Sequence, residues 1–108
     1  MGKYEKLIKD TINNNKVALF MKGTPEMPQC GFSARVVAIL EDLNVPFAYV
    51  NIYDDHPAIL SELKEMYGWP TSPQLYIDGE LIGGCDITME LYESGELQKK
   101  LGLVNESR

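Results

Sequence analysis

Cys30-Gly31-Phe32-Ser33 is the stretch of this chain whose residue types could do chemistry. The segment from Gly23 to Gln29 holds two prolines and a glycine, so it must be a loop, and a strongly helical pattern follows. Cys30 therefore stands where a loop becomes a helix. Unpaired amides and the helix dipole favour an anion there, which lowers a thiol's pKa and makes the thiolate available as a nucleophile or metal ligand. Lys22 and Arg35 are near in sequence and add positive potential. The plainer alternative is a structural cysteine, since free Cys is among the most buried residue types; a helix start beside cations favours the reactive reading. Ser33 holds the position where a second cysteine would make a redox pair, and it cannot close a disulfide.

Other residues carry weaker signals. Phe32 either anchors the loop in the core or offers an exposed face beside the thiol. Thr71-Ser72-Pro73, just before a strand, is a candidate cis-proline turn; the Ser72 backbone would then be free to pair with an extended peptide as an added strand does. Gly83-Gly84 is either a flexible exit from a hairpin or a place where a ligand approaches the backbone. In the second case Asp86 and the amides at the next helix start hold an α-amino and a carboxylate group. Cys85 reads as a small core-edge residue, less reactive than Cys30. His56 is alone, Trp69 reads as packing, and Met21, Met27, Met66 and Met89 show no ligand spacing. Glu90, Glu93 and Glu96 form a solvated face.

The elements that must position these residues follow from periodicity. Tyr4, Leu7, Ile8 and Ile12 predict a helix over about 3–14, and the apolar run from Lys16 to Met21 suits a strand buried on both faces. Val36, Val37, Leu40 and Leu43 give the helix after Cys30 its buried stripe, ended by Asn44 and Pro46. Residues 47–51 read as a second strand, parallel to the first because a helix intervenes. Pro57 suits the first turn of a third helix, which carries Ile59, Leu60, Leu63 and Tyr67 and ends at Gly68. Leu75-Tyr76-Ile77 and Glu80-Leu81-Ile82 flank Asp78-Gly79, a strong hairpin signal. Asp86 is a plausible N-cap for a helix burying Ile87 and Leu91; Gly95 breaks it, and Leu97 with Leu101 continue as a last short helix. The order α-β-α-β-α-β-β-α predicts an α/β, thioredoxin-like fold, a four-stranded mixed sheet flanked by helices on both faces.

The chain's 108 residues suffice for one domain with a real core, expected over about 3–101, with 102–108 as a flexible tail that has little to pack. A composition 44% hydrophobic and 24% charged is that of a soluble globular protein. No apolar run nears the roughly 20 residues that cross a bilayer, and the first residues lack a secretory signal. A cytoplasmic protein without membrane association is expected; a cleaved organelle presequence is left open. The net charge of −6 argues against nucleic acid, whose binding is mostly phosphate neutralisation. Two cysteines are too few for a disulfide framework and are expected as thiols in a reducing compartment.

Lys22, the Cys30-Gly31-Phe32-Ser33 motif, Trp69-Pro70-Thr71 with Pro73-Gln74, and Gly83-Gly84-Cys85-Asp86 together resemble the monothiol glutaredoxins of the CGFS type, over about residues 3–101. The resemblance implies a glutathione site and a [2Fe-2S] cluster held between two protomers. On the family pattern Cys30 ligates iron, Lys22 meets the glycyl carboxylate of glutathione, the Ser72 backbone pairs with its cysteinyl unit beside a cis Pro73, and Cys85 and Asp86 contact its γ-glutamyl end. Phe32 and Gly84 belong to the same expected glutathione site.

Two positions depart from the pattern. Ser72 replaces a commonly bulky apolar residue, and Leu60 stands where relatives often carry a basic one; Lys22 then carries that charge alone, or Gln74 or another residue assists.

Ligand counting agrees with a cluster. Such a centre commonly needs four thiolates; if each chain offers only Cys30, two chains give two, and glutathione could supply the rest. The leading expectation is a homodimeric carrier that passes its cluster to apo iron-sulfur proteins. The alternative is a monothiol oxidoreductase in which Cys30 attacks a glutathione mixed disulfide. A third role, suggested by the resemblance alone, is a complex with a BolA-type protein.

Overall fold

The computed structural model describes residues 2–103. Ten short elements follow one another: α1 (Glu5–Asn13), β1 (Val17–Met21), α2 (Gly31–Asp42), β2 (Ala48–Asn51), a 3-10 turn (Ile52–Asp55), α3 (Ala58–Tyr67), β3 (Gln74–Ile77), β4 (Glu80–Gly83), α4 (Cys85–Ser94) and α5 (Glu96–Lys100). The strands form one sheet in the order β2-β1-β3-β4. β1 pairs parallel with β2 and antiparallel with β3, and β3 pairs antiparallel with β4. This is the expected thioredoxin-like arrangement.

Strand alternation divides the core. Val17, Leu19 and Met21 point to one face of the sheet with Leu75 and Ile77, where they pack under Val36, Val37 and Leu40 of α2 and Leu97 of α5. Ala18 and Phe20 point to the other with Tyr76, under Ile8 and Ile12 of α1 and Ile59 and Leu63 of α3. All five residues of β1 are buried, which is why its sequence shows a continuous apolar run.

Local chemistry sets the element ends. Asn44 takes the left-handed conformation at φ 56°, with Val45 N–H bonded to Leu40 C=O and Asn44 N–H to Glu41 C=O. These are the two bonds of a Schellman close. Asp78 and Gly79, at φ 54° and 82°, form the tight turn joining β3 to β4, as an Asp-Gly hairpin requires.

Four expectations change. Leu7 lies 44% exposed while Ile8 and Ile12 carry the burial of α1. Pro57 precedes α3 as its N-cap, so its ring lies just outside the first turn, and the 3-10 turn before it had no signal in the apolar periodicity. Asp86 is not the N-cap of α4: Gly84 holds that place, and the helix starts at Cys85, two residues earlier than expected. Its buried residues are Cys85 and Thr88, with Ile87 and Leu91 only half-buried. Of the expected tail, Gly102 and Leu103 close α5 through N–H bonds to Lys99 and Gln98 carbonyls; residues 104–108 lie outside the described range.

Candidate functional site

The loop between β1 and α2 is itself a miniature hairpin. Gly23 and Pro28 bridge, Thr24 and Met27 exchange backbone bonds, and Gln29 N–H donates to Lys22 C=O at 2.8 Å. Gly23 is required there: its φ is +93°, and a Cβ would stand 2.5 Å from Met27 O and 2.6 Å from Gln29 N. Asn51, at the end of β2, ties the loop down from outside. Its Oδ1 accepts from Gly23 N–H and from Tyr53 N–H, both at 2.9 Å. Two prolines in sequence promise only a loop; the structure makes it a braced arm ending in Cys30.

Cys30 is the N-cap of α2, in extended conformation, and its thiol is partly accessible. Partial burial pushes its pKa up, but the amides of Ser33 and Phe32 at the helix start, the Lys22 charge and the Ser33 hydroxyl together bring it below the ordinary thiol range. Arg35 does not contribute as expected. Its guanidinium lies 3.6 Å from Met89 Sδ and its charge acts on Cys85. Ser33 is more than an absent thiol: fully buried, its Oγ accepts from Lys22 N–H at 3.1 Å, joining the end of β1 to the first turn of α2. Phe32 is 60% exposed, which resolves its two readings in favour of an open face beside the thiol.

The second cysteine has the opposite character. Cys85 is 6% exposed in the core under α4, its Sγ lies 3.9 Å from Met89 Sδ, and burial raises its pKa against the opposing pull of Arg35. At the start of α4, Thr88 N–H is the first to bond back, to Gly84 C=O at 3.0 Å, and no side chain caps the helix. The amides of Cys85, Asp86 and Ile87 therefore face outward as donors suited to an anion. Gly84 is held close, because a Cβ on it would meet Pro73 O at 3.3 Å.

The turn from Trp69 to Pro73 forms the remaining wall. The Ser72–Pro73 bond is cis, as is His56–Pro57, and the Ser72 backbone makes no hydrogen bond among the described residues. Gln74 is fully buried and points away from the opening. Its Nε2 donates to Trp69 C=O at 2.9 Å and to Thr71 C=O at 3.0 Å, and its Oε1 accepts from Tyr76 Oη at 2.8 Å. Gln74 is thus committed internally and is not available to assist Lys22 at a ligand carboxylate. Trp69 stands in the wall rather than in the core, with its indole N–H buried and unpartnered, as is the Ser72 hydroxyl.

A cleft of ≈ 630 Å³ runs between these walls, and every residue singled out for the site lines it: Lys22, Cys30, Phe32, Ser72, Pro73, Gly84, Cys85 and Asp86. Leu60 lines it as well, leaving Lys22 the only cation on the lining among the described residues. The described residues hold no group of three or more His, Cys, Asp or Glu side chains that could hold a metal ion. One chain's donor set offers one accessible thiol, fewer than a thiolate-ligated centre needs: Cys30 is partly accessible with a lowered pKa, whereas Cys85 is buried with a raised one. No helix among the described residues is long and apolar enough to cross a membrane.

Comparison with known proteins agrees with this architecture. The family model described as Glutaredoxin matches residues 17–82. The protein named "Probable monothiol glutaredoxin 2" of Rickettsia typhi is 57% identical over 96 residues, spanning 89% of this chain and 86% of that one. Among solved structures, reduced poplar apo GrxS14 superposes with a TM-score of 0.80 at 53% identity, covering 91% of this chain and 89% of that one. A buckwheat glutaredoxin in complex with glutathione superposes with a TM-score of 0.80 at 27% identity, covering 90% and 86%. With its CGFS motif at the mouth of the cleft, this chain belongs to the glutaredoxin family, among the monothiol glutaredoxins.

Proposed function

We propose that this protein binds glutathione in the cleft and carries a [2Fe-2S] cluster between two copies of itself, delivering it to apo iron-sulfur proteins. The observation that carries the reading is the inequality of the two thiols. Cys30 is accessible and acidified at the cleft rim, Cys85 is buried with a raised pKa, and Ser33 is sealed into the backbone of the braced arm. A centre of four thiolates is then completed by Cys30 from each of two chains and by two glutathione thiols. In this reading Lys22 receives the glycyl carboxylate, the unpaired Ser72 backbone pairs with the cysteinyl unit beside Pro73, and the outward amides of α4 with Gly84, Cys85 and Asp86 hold the γ-glutamyl end. Phe32 offers its exposed ring to the bound glutathione beside the thiol. The glutathione bound by the buckwheat protein supports the choice of ligand.

Anaerobic reconstitution with iron, sulfide and glutathione tests it. The expected product is a coloured dimer with about half a cluster and one glutathione per chain, from the four-thiolate count, and Cys30→Ala stays colourless. A colourless monomer from the wild-type chain overturns the reading. Cytosolic placement fits, since both cysteines are free thiols, and a BolA-type protein is a candidate partner through the same cluster.

The lowered pKa of Cys30 beside an open cleft also favours a second reading, as an oxidoreductase. Its thiolate attacks the glutathionyl sulfur of a mixed disulfide, the S–S bond breaks, and the released protein thiolate takes a proton. A second glutathione thiolate then frees Cys30 and leaves as glutathione disulfide. Rapid turnover of a glutathionylated substrate without cluster binding would promote this reading over the first.

A further inference from the structure

The wall formed by Trp69 to Pro73 is attached to the sheet in an unusual way. Pro70 and Pro73 have no N–H to offer, and neither the Trp69 indole N–H nor the Ser72 hydroxyl has a partner. Among the described residues, the hydrogen bonds this turn makes are the two that its Trp69 and Thr71 carbonyls accept from Gln74. Gln74 begins β3 opposite Phe20, and its amide is oriented by the Tyr76 hydroxyl. Tyr76 is itself fully buried, with Phe20 and Tyr67 edge-on to its ring at 5.6 and 5.2 Å.

A primary amide answers this geometry. Two N–H donors serve two carbonyls, and one oxygen serves a phenol. A glutamate would turn an acceptor toward two acceptors, and an apolar residue would leave two partly buried carbonyls and the buried Tyr76 hydroxyl without this partner.

We propose that Gln74 is a positioning residue of the cleft: by holding the Trp69 and Thr71 carbonyls it fixes the Ser72 backbone where an extended γ-glutamyl tripeptide pairs, and so sets glutathione affinity without touching the ligand. This rests on the glutathione reading above. Gln74 acts on the turn alone. The arm carrying Cys30 is held by its own backbone bonds, by Asn51 and by Ser33, and none of these passes through Gln74.

The test measures two quantities on the intact protein: calorimetric affinity for reduced glutathione, and the rate at which iodoacetamide alkylates Cys30 in its absence. Gln74→Met is expected to lose about tenfold in affinity, the consequence of removing the two hydrogen bonds that hold the turn, with the alkylation rate unchanged. Tyr76→Phe keeps both amide donors and is expected to bind glutathione within about threefold of wild type, at the lower end of a single hydrogen bond. Wild-type affinity retained in Gln74→Met overturns the inference, as does a parallel fall in alkylation, which marks general loosening. Should Gln74→Met not fold, NMR of the wild-type Gln74 side-chain amide decides. The expected result is slow solvent exchange and a resonance that shifts on glutathione binding, and a resonance unmoved at saturation overturns the inference. Absence of glutathione binding by the wild-type chain defeats both this inference and the reading beneath it; binding by wild type with an indifferent Gln74 defeats the inference alone.

Discussion

Ser33 shows how a residue can be read correctly, as a first-turn residue that removes a second thiol, and still hold a further role. The sequence established that it cannot close a disulfide, and the helix start after the loop was legible because its determinants are local. That its hydroxyl receives Lys22 N–H depends on β1 and α2 meeting in space, which no periodicity encodes. Gln74 was one of the alternatives for assisting Lys22, and the choice between them was open for a related reason: only the sheet register turns its side chain inward, which leaves Lys22 to carry the charge. Ser33→Ala is expected to cost about 1–3 kcal/mol, the penalty for a buried N–H left without a partner, measurable by urea denaturation. The same change is expected to move the alkylation midpoint of Cys30 upward, because the hydroxyl helps hold the thiolate. In the wild type, alkylation of Cys30 is expected to reach half its maximum below pH 9.0, the ordinary thiol value, and that of Cys85 above it. The signs for stability oppose each other. The Cys30 contribution is present above the unfolded thiol pKa and lost as pH falls through the lowered folded value. That of Cys85 is present below the unfolded pKa and lost as pH rises through the raised one.

At the scale of elements, short-range chemistry was the readable part. Asp78-Gly79, Asn44 and Gly95 mark their boundaries because each needs a positive φ that few residues supply. The start of α4 was read two residues late because Asp is the stronger N-cap by type, whereas the cap is Gly84, which lies close against the Pro73 carbonyl. Two glycine substitutions separate backbone strain from crowding. Gly79→Ala meets nothing nearer than Asn13 Oδ1 at 3.8 Å, so it is expected to cost about 1–2 kcal/mol for the left-handed conformation alone. Gly23→Ala adds contacts of 2.5 and 2.6 Å with the arm's own backbone, so it is expected to cost more in the same denaturation experiment and also to slow Cys30 alkylation by displacing the arm. Asn51→Ala unpins the arm without crowding it. Its expected cost is about 1–3 kcal/mol for the two amides left unpaired, and a large rise in amide exchange confined to residues 22–29 would identify the cause.

For the molecule as a whole, the order of elements followed from the apolar patterning, the parallel β1–β2 pair from the helix between them and the hairpin from Asp78-Gly79, whereas the antiparallel β1–β3 pair at the centre of the sheet came from the structure. The relation of the thiols to one another did not follow, since it depends on two distant segments converging on one cleft. The carrier reading makes assembly and cargo inseparable: stripping iron from the coloured dimer with a chelator is expected to yield colourless monomers, seen as a shift in sedimentation coefficient, and a dimer that survives the loss of colour would oppose a cluster-bridged assembly. The two walls of the cleft also differ in how they can yield. Lys22 continues directly from β1, the strand buried on both faces and paired on both edges, so its place is lost only when the whole sheet opens. The Trp69–Pro73 wall joins β3 only through Pro73, and its hydrogen bonds among the described residues are to a single side-chain amide. On the glutathione reading the cleft therefore has one jaw set in the sheet and one latched by Gln74, and release of the tripeptide is expected to follow a local opening of the latched jaw rather than unfolding of the protein.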